Sequence, residues 1–203
     1  MGIYEKYFLP KLLNLAMKAP ALNALRKKLV PLAEGHVLEI GIGSGLNLPY
    51  YDKSVHITGL DPSLELQLYA KEVALKENID VEFLSVGGES IPAEDNSFDS
   101  VVMTWTLCTI KDPVSALAEI RRVLKPGGKV IFAEHGVSPD DHIARWQARL
   151  NPVWKVIGGG CHLNRRIEEL YLVSGFGFEQ IDRGYLEGPK FATYNYRGGA
   201  TIS

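Results

Sequence analysis

Short apolar runs alternate with longer segments of helical periodicity through the middle of the chain. Five of these short runs are predicted to be buried strands, at 36–45, 56–63, 80–86, 98–107 and 129–136. Most of them end at glycines or at an acid. Two segments between them, 64–78 and 112–128, read as helices, and the second has Asp112 as its predicted N-cap and a glycine stop. Strands alternating with helices at this spacing predict a doubly wound parallel sheet of the α/β class.

Residues 3–33 carry leucines at helical spacing on both sides of Pro20. We expect two short amphipathic helices broken around that proline, with Leu12, Leu13 and Leu15 on the first and Leu22, Leu25 and Leu29 on the second. The first 33 residues have six basic side chains and one acid, a charge of +5, which leaves −7 for the rest against a total of −2. This pattern is typical of a solvated helix face, and contact with membrane phosphates is the alternative.

The alternation ends after the fifth predicted strand. Residues 138–164 form an insertion, predicted to be helical with a break at Pro152 and to finish at a triple glycine. Asn164 is the predicted cap of a helix that runs to about Ser174 and stops at Gly175. Two final strands joined at Gly188-Pro189 complete the pattern. An insertion at this position of such a sheet is where we expect a substrate lid.

Composition limits the class of protein. The chain has 203 residues, 46% of them hydrophobic, enough for one substantial core, and its net charge of −2 gives nucleic-acid binding no support. Two cysteines, Cys108 and Cys161, make no disulfide framework, and no CxxC pair or ligand cluster indicates a metal. The N-terminus has no apolar run long enough to span a bilayer and no small-residue cleavage site. We therefore expect a cytoplasmic protein, with peripheral membrane contact as the alternative.

A nucleoside site is predicted where the first two strands end. The first strand runs into Gly41, Gly43 and Gly45, with Glu39 two residues ahead. Glycines allow close approach of a ligand to the backbone, and an acid at the end of the second strand, Asp61, can accept hydrogen bonds from both ribose hydroxyls. A dinucleotide fingerprint would need glycine where Leu46 stands, which disfavours a dehydrogenase.

The blocks VLEIGIGSG, GLDPS, GGESIPAEDNSFDSVV and AEIRRVLKPGGKVIFAEH, within about residues 34–136, resemble the successive motifs of class I S-adenosylmethionine-dependent methyltransferases. The resemblance implies a seven-stranded, Rossmann-like sheet with an antiparallel last strand inserted beside strand six. It also implies S-adenosylmethionine as cofactor and S-adenosylhomocysteine as product. We divide the chain into an N-terminal helical lid, 1–33, and a methyltransferase domain, 34–203, that contains the insertion.

The same resemblance assigns the cofactor site residue by residue. The glycines of the first loop would pass under the methionine portion and the ribose, Glu39 would orient that loop, and Asp61 would hold the ribose. Gly87 stands where many relatives place an aspartate against the adenine, so adenine recognition would fall to the backbone of Gly88 and Glu89. The complete predicted set is Glu39, Gly41, Gly43, Gly45, Asp61, Pro62, Ser63, Gly88, Glu89, Thr104 and Leu107.

The segments WTLCTIKDP, EHG and ARWQARLNPVWKVIGGGCHLNRR resemble the family that includes microsomal thiol S-methyltransferases. Those relatives begin with a hydrophobic membrane-anchoring helix. This sequence differs from them there, since it opens with the basic amphipathic segment. The resemblance favours a small thiol as methyl acceptor. His135, at the end of the fifth strand, is the predicted general base, although a histidine that only donates to a nearby carbonyl is the alternative. Cys108, Cys161, His162 and Arg165 are the predicted acceptor-binding residues.

Other functions stay open on the sequence alone. Related methyltransferases with the same four blocks act on the ring carbon of a quinone and on a phospholipid amine, and the basic N-terminal helices suit either as a membrane-skimming lid. A non-catalytic S-adenosylmethionine-binding module is the alternative from another class. The predicted partner is a small-molecule acceptor, and the sequence does not define an oligomeric state.

Overall fold

A computed structural model describes residues 9–203 as a three-layer α/β fold. The strands are β1 (His36–Ile40), β2 (His56–Leu60), β3 (Val81–Leu84), β4 (Phe98–Thr104), β5 (Leu124–His135), β6 (Phe176–Tyr185) and β7 (Tyr194–Ile202). They form one seven-stranded sheet in the order β3-β2-β1-β4-β5-β7-β6. Neighbours from β3 to β5 are parallel, and β7 is antiparallel to both β5 and β6. The predicted doubly wound sheet, with its antiparallel last strand beside strand six, is confirmed.

Seven helices cover the sheet within the described residues: α1 (Leu9–Ala16), α2 (Pro20–Leu29), α3 (Leu64–Glu77), α4 (Pro113–Val123), α5 (Asp141–Ile157), α6 (Ile167–Val173) and α7 (Lys190–Thr193). Pro20 occupies the first turn of α2, where a missing N–H costs nothing, so the N-terminal helices separate at the expected place. Asp112 caps α4, since its carboxylate accepts from the Ser115 amide. Residues 3–8 of the first predicted helix lie outside the described residues.

Three predicted helix boundaries are wrong. The helix α5 runs through Pro152 without a break. Pro152 removes only the N–H that would bond to the carbonyl of Ala148, and Ala148 is exposed, so water can satisfy that carbonyl. The helix α4 ends at Val123, before the glycines, because Pro126 disfavours helical geometry at the residue before it and Leu124 pairs with Phe98 in the sheet.

Asn164 does not cap α6, which begins at Ile167 with Arg166 in the capping position and no side-chain cap. The residues before it are held in a non-helical path by tertiary contacts. Leu163 and Ile167 are both fully buried, and the Arg165 carbonyl accepts from the Val137 amide. Burial of the two apolar side chains therefore outweighs the local capping preference of asparagine. The stop at Gly175 is confirmed, with a φ of +80°.

The sheet separates two apolar clusters because successive side chains on a strand point to opposite faces. Leu38, Val101 and Phe132 lie in the cluster that also includes α4 and α6, whereas their neighbours Val37, Val102 and Ile131 pack on the other face with the end of α2. With both faces covered, the carboxyl ends of the parallel strands are where polar residues can gather. Among the described residues, no helix combines the length and the apolar character needed to cross a bilayer.

Candidate functional site

The loop after β1 brings backbone next to open space. Gly41, Gly43 and Gly45 have φ values of +72°, +53° and +75°, in the left-handed region that favours glycine. A Cβ at Gly41 would collide with the Thr106 side chain, and one at Gly45 would lie 2.9 Å from the Ala70 Cα. At Gly43 a Cβ would meet no atom closer than 3.8 Å. Gly41 and Gly45 are thus required for packing. Gly43 borders a space that no side chain of the described residues fills, called the cradle below.

Asp61 lies directly beside that cradle at the end of β2. Its Oδ2 accepts from the Gly43 amide at 3.0 Å and its Oδ1 from the Ser63 amide at 2.8 Å. Burial raises the pKa of Asp61 above its ordinary value, and the two amide bonds oppose that shift. Ser63 also caps α3 through its hydroxyl, while Pro62 is exposed. The carboxylate is therefore fixed in position with lone pairs remaining for a ligand.

Glu39 is buried behind the glycine loop and bound by two side chains. Its Oε1 accepts from the Asn47 amide group at 2.9 Å and its Oε2 from the Tyr51 hydroxyl at 2.8 Å. Burial raises the pKa of Glu39 to about 7, against the two hydrogen bonds, which lower it. Asn47 also donates to the Thr104 hydroxyl at the end of β4. Glu39 and Asn47 thus tie the loop after β1 to β4.

Arg26 connects α2 to the same network, which the sequence analysis missed. Its side chain is only 3% exposed, its Nε donates to the Asn47 Oδ1 at 3.1 Å, and its guanidinium lies 4.8 Å from the Trp105 ring centre. From the sequence, Arg26, one of the six basic side chains of residues 1–33, is placed on a solvated face. A signal was present, since positions 22, 25, 26 and 29 form one apolar stripe of the helix and Arg26 falls within it.

The loop after β3 contains Gly87, the position at which the resemblance implies an aspartate in many relatives. The Glu89 side chain folds back over this position, with its Oε2 2.6 Å from where a Gly87 Cβ would stand. Gly88 is buried, and a Cβ there would lie 3.0 Å from the Ile40 side chain. The Glu89 carboxylate therefore occupies the space beside Gly87.

The segment after β4 is held by Glu134, a second residue without a predicted role. This buried carboxylate accepts from the amides of Thr106, Leu107 and Cys108 at 2.9–3.2 Å. Burial raises the pKa of Glu134 to about 7 although all three amides lower it. Leu107, predicted to face the cofactor, is fully buried in the core. An acid in an otherwise apolar buried strand was the available signal for Glu134.

His135, Cys161 and Cys108 meet at the carboxyl end of β5. The Cys161 sulfur lies 3.8 Å from His135 Nδ1 and 3.6 Å from the Cys108 sulfur. His135 is 5% exposed, and its Nε2 has no hydrogen-bond partner among the residues that the structure describes. The structure thus brings three of the predicted site residues together around one imidazole.

His162 and Arg165 border this group. The Nη1 of Arg165 donates to the carbonyls of Leu107 and Ile110, and its Nη2 lies 3.2 Å from His162 Nδ1. The His162 Nδ1 is also 3.2 Å from the Cys108 carbonyl oxygen. Burial and the neighbouring Arg165 cation lower the pKa of His162. The guanidinium therefore anchors the segment after β4 and places positive charge beside the cysteines.

A model of the methyltransferase domain matches residues 38–132. The chain is 39% identical over 133 residues to the thiol S-methyltransferase TMT1B of Rattus norvegicus, a match that covers 64% of this chain and 54% of that protein. It is 30% identical over 163 residues to human thiol S-methyltransferase TMT1A, covering 78% of this chain and 66% of the relative. The chain belongs to the class I S-adenosylmethionine-dependent methyltransferases.

A solved S-adenosylmethionine-dependent methyltransferase from Thermotoga maritima shares the fold of this methyltransferase. The two superpose with a TM-score of 0.71 over 99% of this chain and 98% of the other, at 22% identity. At that identity the likeness extends to the fold alone. The match to the rat thiol S-methyltransferase spans about half the length of that relative.

The residues at the cradle fit the adenosyl group of S-adenosylmethionine, the cofactor of the family. The ribose needs an acceptor pair and a backbone without side chains, and Asp61 with Gly43 offers both. The methionine portion carries an ammonium, for which Glu39 is a buried carboxyl neighbour behind the loop. For adenine, the Glu89 carboxylate could accept from the amino group; the sequence analysis had assigned only the Glu89 backbone. The individual contacts stay predictions.

Asp61→Ala is expected to weaken S-adenosylmethionine binding by about 1–3 kcal/mol, the scale of a lost hydrogen bond to a charged group. Isothermal titration calorimetry with S-adenosylmethionine measures the change. Glu72→Ala, at an exposed position of α3, is the matched control and should bind as the wild type does. An affinity of Asp61→Ala equal to that of the control would remove Asp61 from the ribose site.

Proposed function

We propose that the protein transfers the methyl group of S-adenosylmethionine to the thiol of a small molecule. The observation that carries the proposal is the buried His135 ring at the carboxyl edge of the sheet, whose Nε2 lacks a partner within residues 9–203. The identity to thiol S-methyltransferases, which extends over most of this chain, supports the choice of a thiol. Cys108, Cys161, His162 and Arg165 form the wall next to this imidazole.

When bound, S-adenosylmethionine supplies an electrophilic methyl group on a sulfonium. The protein then has to align an acceptor sulfur with it and exclude water. A free thiol has a pKa of about 8.5, so a few per cent is already thiolate at neutral pH and little assistance is required. If Nδ1 of His135 carries the proton shared with Cys161, Nε2 is left with the lone pair that accepts the proton of the acceptor thiol. Positive charge on Arg165 favours the resulting thiolate.

Residues 1–33 are proposed to act as a lid over the site. The support is the Arg26 side chain, which joins α2 to Asn47 in the site and through it to Glu39. Leu12 and Leu15 of α1 are exposed beside basic Lys11 and Lys18, so this segment also offers a surface for the membrane contact considered above. Residues 34–203 then make up the catalytic domain.

The test uses S-adenosylmethionine labelled in the methyl group and a panel of small thiols, a quinol and phosphatidylethanolamine. Label is expected in a thiol, and His135→Ala is expected to slow transfer by about 100-fold, the usual scale for removing a general base. The variant should bind S-adenosylmethionine as the wild type does. Glu169→Ala, a substitution at an exposed position of α6, is the control and should transfer methyl groups at the wild-type rate.

Each outcome of the panel decides between functions. Label in the quinol or the lipid alone would assign the ring-carbon or amine activity and end the thiol proposal. Binding without label in any acceptor would favour the non-catalytic module. Full transfer by His135→Ala would leave the thiol assignment standing and return His135 to a structural role.

A further inference from the structure

Cys108 and Cys161 form a thiol pair that methyl transfer does not require. Their sulfurs lie 3.6 Å apart, although the residues are far apart in the chain, and these are the only two cysteines in the sequence. Cys108 is buried with 1% exposure, whereas Cys161 is half-buried. Cys161 is therefore the residue of the pair that has surface open to a small reagent, which gives the two thiols different roles.

The surroundings of Cys161 favour its thiolate. The Cys108 thiol and the His135 ring lie within hydrogen-bonding range of the Cys161 sulfur and hold the pKa of Cys161 well below its usual value, against burial, which raises it. The same contact raises the pKa of Cys108. The other ionisable groups nearby are the buried carboxylate of Glu134, and His162 and Arg165 from the following turn.

The two backbones allow the sulfurs to approach each other. A disulfide needs an S–S distance of about 2.05 Å, so the sulfurs must move together by roughly 1.5 Å. Cys161 follows Gly159 and Gly160, which have φ values of +63° and +93°, and glycines are the residues least restricted in backbone torsion. Cys108 is held in place by the bond from its amide to Glu134. The glycine loop is thus the side that can move.

We propose that Cys161 and Cys108 carry out reversible thiol–disulfide exchange with small disulfides that reach the acceptor wall. The Cys161 thiolate attacks one sulfur of the disulfide RSSR, and a mixed disulfide forms as RS⁻ leaves. Cys108 then loses its proton to the leaving thiolate and attacks the Cys161 sulfur, releasing the second RS⁻ and closing the Cys108–Cys161 bond. The protein dithiol is oxidised, RSSR is reduced to two thiols, and an external dithiol such as dithiothreitol reverses the reaction.

The chemistry gives Cys108 its role as the resolving thiol. Its pKa is raised first by the contact with the Cys161 sulfur, and that contact ends when Cys161 enters the mixed disulfide. The buried thiol therefore becomes easier to deprotonate at the step that requires it. This inference does not depend on which molecule accepts the methyl group.

The experiment exposes the full chain to oxidised glutathione at pH 7 and follows free thiols by Ellman titration and intact mass. The wild type is expected to go from two thiols to none, without added mass from glutathione, and dithiothreitol should restore both. Cys108→Ser should stop at a stable glutathione adduct on Cys161. The remaining thiol of Cys161→Ser should react with oxidised glutathione at least about tenfold more slowly than the wild type does. That thiol, Cys108, is buried and has lost its thiolate partner.

Wild-type thiols that persist under these conditions would overturn the proposal, as would glutathione on both cysteines or disulfide-linked dimers. Thermal unfolding of both serine variants separates a chemical effect from loss of fold, and a disulfide in the folded wild type is decisive even if a variant is unstable. Failure of the thiol acceptor panel leaves this result untouched, because the exchange is measured without S-adenosylmethionine.

Discussion

Glu134→Ala is expected to lower the free energy of unfolding by about 3–5 kcal/mol. The wild-type carboxylate is fully buried and accepts from three consecutive amides of the segment after β4. Its removal leaves three backbone donors without partners in a place that water does not reach, together with a cavity. Urea or guanidinium unfolding followed by circular dichroism measures the difference.

Two further variants test the reason for that loss. Glu134→Gln keeps the size of the side chain and one acceptor oxygen, but its amide group faces the Cys108 N–H, so its effect should be intermediate. Glu169→Ala removes an exposed carboxylate paired with Arg166 and should change stability by no more than about 0.5 kcal/mol. Equal stability of the alanine variant at position 134 and the wild type would show that the segment finds other acceptors.

Glu39→Gln is expected to gain stability relative to the wild type as the pH rises from about 5 to 8, by roughly 3 kcal/mol in total. Burial raises the pKa of Glu39 from 4.5 to about 7, so the folded protein holds this proton more tightly than the unfolded chain does. The wild-type contribution is therefore complete below about pH 4.5 and is lost as the pH rises through 7. Glutamine resembles the protonated carboxyl and does not titrate.

The measurement compares unfolding free energies of the two proteins at several pH values without S-adenosylmethionine. The difference between them isolates position 39, because Glu134 and Cys161 titrate in both. Glu119→Gln should show the opposite pH dependence of stability. Ion pairing with Arg122 lowers the pKa of Glu119, so the contribution of Glu119 to wild-type stability is lost as the pH falls below the ordinary glutamate range. A difference at position 39 that stays constant with pH would mean that Glu39 is ionised throughout.

The sheet and the nucleoside loop were predictable because each has a local signal. Buried parallel strands are short apolar runs, and their carboxyl ends must share one edge, so the glycines after β1 and Asp61 after β2 had to be neighbours. The hydrogen bond from the Gly43 amide to Asp61 is the direct outcome. His135 was predicted from its position at the end of the fifth strand and from its chemistry, and Cys108 and Cys161 from resemblance. The mutual distances of the three residues needed the structure.

The missed residues owe their roles to side-chain contacts that no local pattern announces. Asn47 and Tyr51 sit in an irregular loop, where no periodicity marks them as partners of Glu39. Arg26 was assigned by charge to the surface although helical spacing placed it among leucines, because a buried guanidinium is stable only with partners that the sequence does not reveal. The capping preference of Asn164 is outweighed by the burial of its apolar neighbours. The helix-breaking preference of Pro152 is outweighed because water can reach the carbonyl that loses its partner.

The position of β7 between β5 and β6 has a consequence for the order of assembly. The strand β6 precedes β7 in the chain but forms sheet hydrogen bonds with β7 and not with β5, so β6 joins the sheet only together with β7 or after it. Hairpins form within microseconds, faster than a large sheet closes. Asn195 of β7 pairs with His135 and accepts from the Trp105 indole, so docking completes this wall. The nucleoside loop lies between β1 and β2, outside the hairpin, so the acceptor wall is the part of the site that depends on β7.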